Sequence, residues 1–597
     1  MSTESLDYPF NIQNILRKRK SIRANLCQQG SLIDIRVAIL GGSTTSEIRS
    51  ILELFLLKSG FRPTFLESEY GKYFEDVVID DANLRVFKPD IAFIHTTHIN
   101  LLNTPHLFDT EEKVEQCLAA EMDHYFAIWS KLTDELDCIV IQNNFDLSPT
   151  RSLGGLDSTE IFGKTNYIMR MNLEFARAAR QNRKLIINDI HYLSAQVGLD
   201  QWFDREYWFS YKMAVSHVGT VHIAHTLAKL VRAAFGKTRK CLVLDLDNTL
   251  WGGVIGDDGM HGIKLGKETA QGEAYTAFQQ YCRELNKRGI LLAVCSKNEL
   301  YNAQHGFSHP DTILDLTNFT SFQANWEPKP NNIECIAADI NIGIDSLVFI
   351  DDNPAERALV LAQLPLVAVP NIGSEVLRFA EFIDREGYFE VVRINNDDVQ
   401  RSTYYADNND RVTYQKKFTD YSDFLASLNM KAEIGVFSPT YIDRISQLTN
   451  KTNQFNLTTK RYTVAEIELI AKSSEYITLY GRLADRFGDN GLITVVTGKI
   501  TGRQLHIDLW LMSCRVLKRD MEQAMLDTLV AKAIEQRLDE IVGYYYRTQK
   551  NDMVADHYSK LGFDLTSKAD DDNYSTWRLR ISNYVSINRN IKDITYV

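Results

Sequence analysis

The sequence predicts a multidomain α/β chain. It comprises a three-layer parallel-sheet domain, a second parallel-sheet domain without a large cap, and a C-terminal α+β domain. Three observations predict this. At 597 residues the chain exceeds a single core, and a prior of about 150 residues per domain implies several domains. Over the first two segments, strand-like apolar runs alternate with longer helix-like stretches, the pattern of parallel sheets covered on both faces. Beyond a polar stretch near residue 400 the pattern changes to successive strand-like runs joined by a turn signal, as in an antiparallel sheet.

Taken in order, residues 1–30 read as a polar leader; "MSTESLDYPFNIQ" lacks the basic and apolar regions of a signal peptide. Residues 31–235 hold the strands "IRVAILGGS", "IAFIHTT", "CIVIQNN" and "KLIINDI". Residues 236–386 hold "CLVLDLD", "ILLAVCSKN" and "SLVFIDD", each ending in polar residues, as expected where strand ends open into a site. Residues 387–425, including "INNDDVQRSTYYADNNDRV", read as a linker or an exposed helix. Residues 426–597 give the strand "KAEIGVF", then "YITLYGRLADRFGDNGLITVV" with a turn expected at Asp489-Asn490-Gly491. There follow "LHIDLWLMSCRVL", the helix "MEQAMLDTLVAKAIEQRL" and the strand "EIVGYYYRT".

A net charge of -12 argues against a protein built to coat nucleic acid or an anionic membrane. No apolar run approaches the ~20 residues of a membrane-spanning helix, so no membrane insertion is expected. The eight cysteines form no CxxC pair, which fits reduced thiols in a cytoplasmic enzyme.

The middle segment carries the strongest chemistry. "DLDNT" supplies Asp245, Asp247 and Thr249 just past a strand, and "VCSKN" puts Ser296 at the end of the next one. "WEPKPNNI" supplies Lys329, and "VFIDDNPAE" places Asp351 and Asp352 at another strand end. In a parallel sheet these ends converge on one edge. Two close carboxylates repel unless something binds them, and a hard cation such as Mg²⁺ prefers oxygen ligands; Asp245, Asp247, Asp351 and Asp352 are the candidates. Asp245 then suits attack on phosphorus, with Asp247 one pleat further as general acid and base. Ser296 and Lys329 suit binding of the remaining phosphoryl oxygens.

This order of motifs resembles the haloacid dehalogenase (HAD) superfamily of phosphotransferases, in which large caps are inserted after the first or second motif. Here the two gaps, Asp245 to Ser296 and Ser296 to Lys329, are 51 and 33 positions, too short for a large cap beyond the sheet's own helices. The expected site is therefore open, and the glycine-rich "WGGVIGDDGMHGIKLG" reads either as a small flap or as a surface hairpin.

The C-terminal segment, with "SCRVLKRDMEQAM", "YYYRTQKND" and "ADHYSKLGFDL", resembles the GNAT acyltransferase fold. That resemblance implies a loop beginning at Arg515 whose amides cradle a pyrophosphate. Lys518 and Asp520, however, occupy the positions where the family has glycines that allow close backbone approach. Lys518 and Arg519 remain candidates for a single phosphate, such as that of phosphopantetheine, while Tyr558 is either a general acid or a core tyrosine.

The first segment resembles an SGNH hydrolase. Ser43 stands at the nucleophile position and Asn143-Asn144 at the oxyanion block, but the terminal DxxH is missing. The best-placed aspartate, Asp204, has Tyr207 at its third position, while His217, His222 and His225 lie at helical spacing. Without a base the serine is a poor nucleophile, so this domain is expected not to be catalytic.

As a whole the chain resembles FkbH-like proteins, through "LDLDNTLWGGVIGDDG", "AVCSKN", "WEPKPNNI", "FIDDNPAER", "TNQFNLTTKRYT", "ADRFGDNGLI" and "MSCRVL". It departs at Lys518 and Asp520, where that family has glycine. The resemblance implies a Mg²⁺-dependent enzyme that dephosphorylates 1,3-bisphosphoglycerate and delivers a glyceryl thioester to an acyl carrier protein. Cys295 and Cys514 are then the candidate acyl relays, each with the alternative of being an inert buried thiol. A plain phosphatase of a small phosphorylated sugar or acid is the other reading.

Overall fold

The computed structural model describes residues 4–28, 32–394, 396–452, 454–513, 516–548, 551–569 and 573–597. It is a mixed α/β protein of two compact units, Met1–Ala234 and Phe235–Val597.

Unit 1 is built on five parallel strands: β1 (Ile33–Gly41), β2 (Phe61–Glu67), β3 (Ile91–His95), β4 (Ile139–Asn143) and β5 (Leu185–Asn188). They lie in the order β2-β1-β3-β4-β5. The inner strands are near-continuous apolar runs; all five residues of β3 are buried, as a strand covered on both faces requires. The segment expected as a leader is instead structured. Asn11 caps a helix from Ile12 to Cys27 that buries Ile15, Ile22 and Leu26. These apolar residues share one helical face, so they seek cover, and Arg19 and Arg23 pair with Glu47 and Glu53 on the neighbouring helix Ser46–Lys58.

Unit 2 contains two sheets. The first has four parallel strands, β6 (Cys241–Leu244), β7 (Leu291–Ser296), β8 (Phe319–Ala324) and β9 (Leu347–Ile350), in the order β8-β7-β6-β9. β6, β7 and β9 are buried at every position. The chain steps from β6 outward through β7 to β8, then crosses to β9 on the other side of β6. The β6/β9 boundary is thus the crevice where an open parallel sheet binds ligands.

The second sheet comprises β10 (Lys431–Gly435), β11 (Tyr476–Asp485), β12 (Gly488–Thr501), β13 (Gln504–Met512), β14 (Glu540–Tyr546), β15 (Asp564–Lys568), β16 (Tyr574–Arg580) and β17 (Asp593–Tyr596). Their order is β15-β16-β14-β13-β12-β11-β10-β17. β13 and β14 pair in parallel, as do β10 and β17, and the other five neighbour pairs are antiparallel. The first hairpin turns at Arg486-Phe487, not at Asp489-Asn490-Gly491. Asp485 fixes the earlier turn: it accepts from the Phe487 N–H and forms a buried ion pair with Arg411. The expected turn residues lie within β12, where Asn490 donates to the Leu483 carbonyl beside an irregular stretch of the ladder.

The stretch expected as a linker or exposed helix holds the helix Arg401–Gln415. Tyr405 is buried in the apolar core beside the parallel sheet, and Arg411 reaches Asp485.

Candidate active site

The C-terminal edge of the parallel sheet in unit 2 gathers the residues singled out from sequence. Asp245 follows β6 directly, Ser296 ends β7 and Asp351 follows β9. Lys329 opens the helix Lys329–Ile340 that comes after β8. The Asp245 N–H donates to the Ile350 carbonyl at 3.0 Å, so the first aspartate is held at the β6/β9 crevice by the ladder itself.

The Lys329 ammonium lies 2.8 Å from Asp245 Oδ1 and also contacts Asp351 Oδ2. All three side chains are buried. Burial alone would depress the Lys329 ammonium, but the charges of Asp245 and Asp351 hold it above its ordinary value. Burial, with the Asp245 charge added, pushes the Asp351 carboxyl up to about 6. The same two causes raise Asp352. Among the described residues, Asp245, Asp351 and Asp352 form one group whose ligand oxygens lie within 4.8 Å of each other. Three hard oxygens carrying more negative charge than one lysine offsets are a donor set for a hard divalent cation.

Asp247 does not join that group, contrary to its expected place among the ligands. Its Oδ1 accepts from Trp251 Nε1 at 2.9 Å and from the Ile255 N–H at 3.0 Å, and its Oδ2 accepts from Asn298 Nδ2 at 3.0 Å. Three donors fix the carboxylate, and the Asp245 and Lys329 charges act on it from the neighbouring cluster. Burial raises its pKa above the usual carboxylate range.

Trp251 and Ile255 belong to the glycine-rich loop, which folds back at the site. Gly252 and Lys264 exchange backbone hydrogen bonds of 3.2 and 2.8 Å, and Ile255–Asp258 form one helical turn. The loop is thus a hairpin-like turn tied to Asp247 through Trp251 and Ile255. Between β6 and β8 the described chain otherwise adds, besides β7 itself, only the helices Ala270–Lys287 and Leu300–Gly306 and short turns.

Thr249 is buried, and its Oγ1 accepts from the Asp352 N–H at 3.2 Å, linking the first and last motifs. Sequence reasoning missed the supporting residues. Arg357 donates to the carbonyls of Asp351 and Asp352 at 2.6 and 2.8 Å and shapes the turn they occupy. Asn353 donates its N–H to Asp351 Oδ1 at 2.8 Å while its own side chain caps the helix Pro354–Gln363. An Asn followed by Pro at a helix start was the available signal.

Several expected residues are not brought to a site. Cys295 is fully buried, its pKa pushed up to about 12 by burial, with its thiol directed at the Lys329 carbonyl. Such a thiol is not a nucleophile in this conformation, which corrects its expectation as a relay. Cys514 and Arg515 lie outside the described residues. Arg519 is buried and turned inward: it pairs with Asp485 at 3.3 Å and donates to Asn408 at 2.7 Å, so it does not offer itself to a phosphate. Lys518 and Asp520 adopt φ of 63° and 60°, the left-handed backbone that glycine favours. Tyr558 is 1% exposed, packs near Trp510 and Phe563, and accepts from the Tyr544 N–H at 3.3 Å; it is a core tyrosine.

In unit 1, Ser43 is buried after β1. Asn143 bonds to His95 and Asn188, and Asn144 bonds to Asp189, so both amides serve the sheet edge. Asp204 caps the helix Arg205–Tyr211 through the Glu206 and Tyr207 N–H groups. His217 packs on Tyr207, and His222 and His225 pack on Phe10. Asp204, His217, His222 and His225 are thus engaged in capping and packing, while a buried Asp–His contact of this unit is His98 Nδ1 to Asp146 Oδ1 at 2.8 Å.

Residues 36–231 match the family model described as FkbH, N-terminal domain. No curated protein matches the chain. Among solved structures, the chain is similar to the N-terminal part of BF1531 from Bacteroides fragilis, which contains a phosphatase domain and is complexed with Mg. The identity is 29% and the TM-score 0.58, over 63% of this chain and 99% of that one. Similarity at 10% identity and a TM-score of 0.21 extends to the ribosomal-protein-S18-alanine N-acetyltransferase of Escherichia coli, over 26% of this chain and 99% of that one. Ard1 of Thermoplasma volcanium matches at 18% identity and a TM-score of 0.20, over 25% of this chain and 97% of that one.

Proposed function

We propose a Mg²⁺-dependent phosphatase and glyceryltransferase, on the match of residues 36–231 to the FkbH N-terminal domain model and the lysine-centred carboxylate cluster at the parallel sheet's crevice. The observation that carries this reading is the joint placement of Asp245, Asp351, Asp352 and Lys329, with Asp247 held beside them. The Mg in the similar Bacteroides fragilis structure supports the choice of cation. Asp245, Asp351 and Asp352 would hold it, and when bound it supplies positive charge that keeps Asp245 ionised and draws phosphoryl oxygens inward.

The chain's own residues then divide the work. Asp245 attacks phosphorus: an Asp245 O–P bond forms while the bond from phosphorus to the leaving oxygen breaks. Asp247, kept protonated to higher pH by burial, gives its proton to that leaving oxygen. Asp247 next takes a proton from water as the water oxygen attacks phosphorus, and Asp245 is released with inorganic phosphate. Lys329 and Ser296 hold the phosphoryl oxygens as charge develops. Thr249 joins the first and last motifs through the Asp352 amide.

The substrate in this reading is 1,3-bisphosphoglycerate or a related acyl phosphate. Its phosphate ester needs the Asp245 site, whereas its acyl phosphate is already activated toward a thiol. In the acyl step the carbonyl carbon–sulfur bond forms, the carbonyl carbon–oxygen bond to phosphate breaks, and the thiol proton leaves to solvent. With Cys295 sealed, the direct acceptor is the phosphopantetheine thiol of an acyl carrier protein, with Cys514 the remaining candidate relay. Access suits such a partner: Trp326, Tyr301 and Leu300, on the segments that follow β8 and β7, are exposed. A cytoplasmic setting fits the seven described cysteines, all free. No described helix is long and apolar enough to cross a membrane.

The test is intact-protein mass spectrometry of an acyl carrier protein incubated with the enzyme, Mg²⁺ and 1,3-bisphosphoglycerate. A glyceryl adduct and released phosphate are expected, both lost in Asp245→Asn; retention of both in that variant sinks the reading. The inward pairing of Arg519 and the burial of Tyr558 favour a second reading, a plain phosphatase of a small phosphorylated sugar or acid whose flanks bind partners. That enzyme releases phosphate and leaves the carrier unmodified.

A further inference from the structure

Ser296 ends β7 and Lys329 opens the helix after β8, yet both are meant to hold oxygens of one phosphoryl group. Their relative placement depends on the short segment between β8 and the helix Lys329–Ile340. β7 and β8 pair with Ser296 opposite Ala324, so Asn325 is the first residue past that register. Its backbone N–H donates to the Ser296 carbonyl at 3.2 Å. Its side chain faces the other way along the chain. Asn325 Oδ1 accepts from the Glu327 N–H at 3.0 Å and from Asn332 Nδ2 at 2.8 Å, and Asn325 Nδ2 donates to Asn332 Oδ1 at 3.1 Å.

Asn332 is 4% exposed and lies one turn after Lys329 in the same helix. The two amides therefore form a closed, half-buried pair with an N–H···O bond in each direction. One residue grips Ser296 through its backbone and the Lys329 helix through its side chain. A second strap, Trp326 Nε1 on Glu299 Oε1 at 2.8 Å, joins the same two loops at the solvent side.

We infer that Asn325 is a positioning residue that sets the distance between Ser296 and Lys329 for the phosphoryl transition state. The inference rests on the phosphatase reading. The Lys329 charge is secured by Asp245 and Asp351, so losing the amide pair would leave that charge in place. What would change is where the ammonium stands relative to the Ser296 hydroxyl. Displacements of about 1 Å at a reacting group cost on the order of 10²-fold in rate. Aspartate at 325 would keep the acceptor for the Glu327 N–H and Asn332 Nδ2 but lose the return donor.

The experiment compares wild type, Asn325→Ala and Asn325→Asp as full-length protein with Mg²⁺ and a phosphate monoester. It measures kcat, KM, melting temperature, and inhibition by vanadate and by inorganic phosphate. Vanadate adopts the five-coordinate shape of the transition state, whereas phosphate does not. Asn325→Ala is expected to lower kcat by about 10- to 100-fold and weaken vanadate by a similar factor, with phosphate inhibition changed less than about three-fold. Asn325→Asp should recover part of both losses. If Asn325→Ala is too unstable to assay, Asn325→Asp alone must still weaken vanadate more than phosphate. A fall in melting temperature with kcat and vanadate inhibition unchanged overturns the inference. A wild type that hydrolyses no phosphate ester overturns the phosphatase reading and the inference together, so the two failures are distinguishable.

Discussion

Lys329 stands 2.8 Å from Asp245 with almost no exposure to water, and its ammonium also touches Asp351. A proposed nucleophile and a proposed cation ligand thus share one counter-ion, and the protein prepares the site for charge without requiring the metal to be bound first. Removing one partner from such a buried arrangement is costly because the other charges remain unpaired.

Lys329→Met should accordingly lose phosphatase activity and, in a chelator, about 3–5 kcal/mol of stability. Mg²⁺ should return much of that stability without restoring activity, because a divalent cation neutralises the same carboxylates. Urea unfolding with and without Mg²⁺ checks this; equal losses under both conditions would detach the lysine from the cation site.

The Asp351 carboxyl, raised to about 6, gives a pH dependence whose sign can be stated. An unfolded aspartate titrates near 3.9, so between about 4 and 6 the folded protein binds more protons than the unfolded chain. That contribution is complete below about 4 and is lost as pH rises through about 6. Metal-free wild type should therefore lose stability over that window more steeply than Asp351→Asn, as read from melting curves in chelator. Matching slopes would remove Asp351 as the cause.

Asp247→Asn should separate the two half-reactions. With an aryl phosphate ester, whose leaving group needs little protonation, Asp245 still takes the phosphoryl group, but no base remains to activate water. Phosphorylated protein should accumulate, detectable by mass, and turnover should fall by about 10²- to 10⁴-fold. Full turnover would assign the acid and base role elsewhere.

At Lys518 the side chain is exposed and the backbone is left-handed, with φ of 63°. Lys518→Gly removes that conformational strain and should raise stability by about 0.5–1 kcal/mol, measured by the urea midpoint, without altering phosphate release. A lower midpoint would show that the lysine stem makes a compensating contact.

The parallel sheets and the edge that gathers the candidate site were legible because buried strands ending in Asp, Ser or Asp-Asp carry both a structural and a chemical signal in a few consecutive residues. Asp247 as a cation ligand was not correctable from sequence: its partners Trp251, Ile255 and Asn298 come together only when the glycine-rich loop folds back. Asp489-Asn490-Gly491 carries a strong local turn pattern, but Asp485, anchored by Arg411 from 74 positions away, turns the chain earlier. Local preference lost to a long-range ion pair. The N-terminal helix escaped notice because its apolar residues are widely spaced among "RKRKSIR", and only the face formed by Ile15, Ile22 and Leu26 shows that it packs.

The helix Arg401–Gln415 belongs to neither sheet of unit 2, yet it places Tyr405 in the core of one and Arg411 against the first hairpin of the other. Melting either layer withdraws a buried partner from its neighbour, which couples their unfolding into one cooperative event. Recombination that exchanged one layer for a relative's would have to carry this helix with it, or leave Asp485 without its Arg411 partner on one side and a vacated aromatic site on the other.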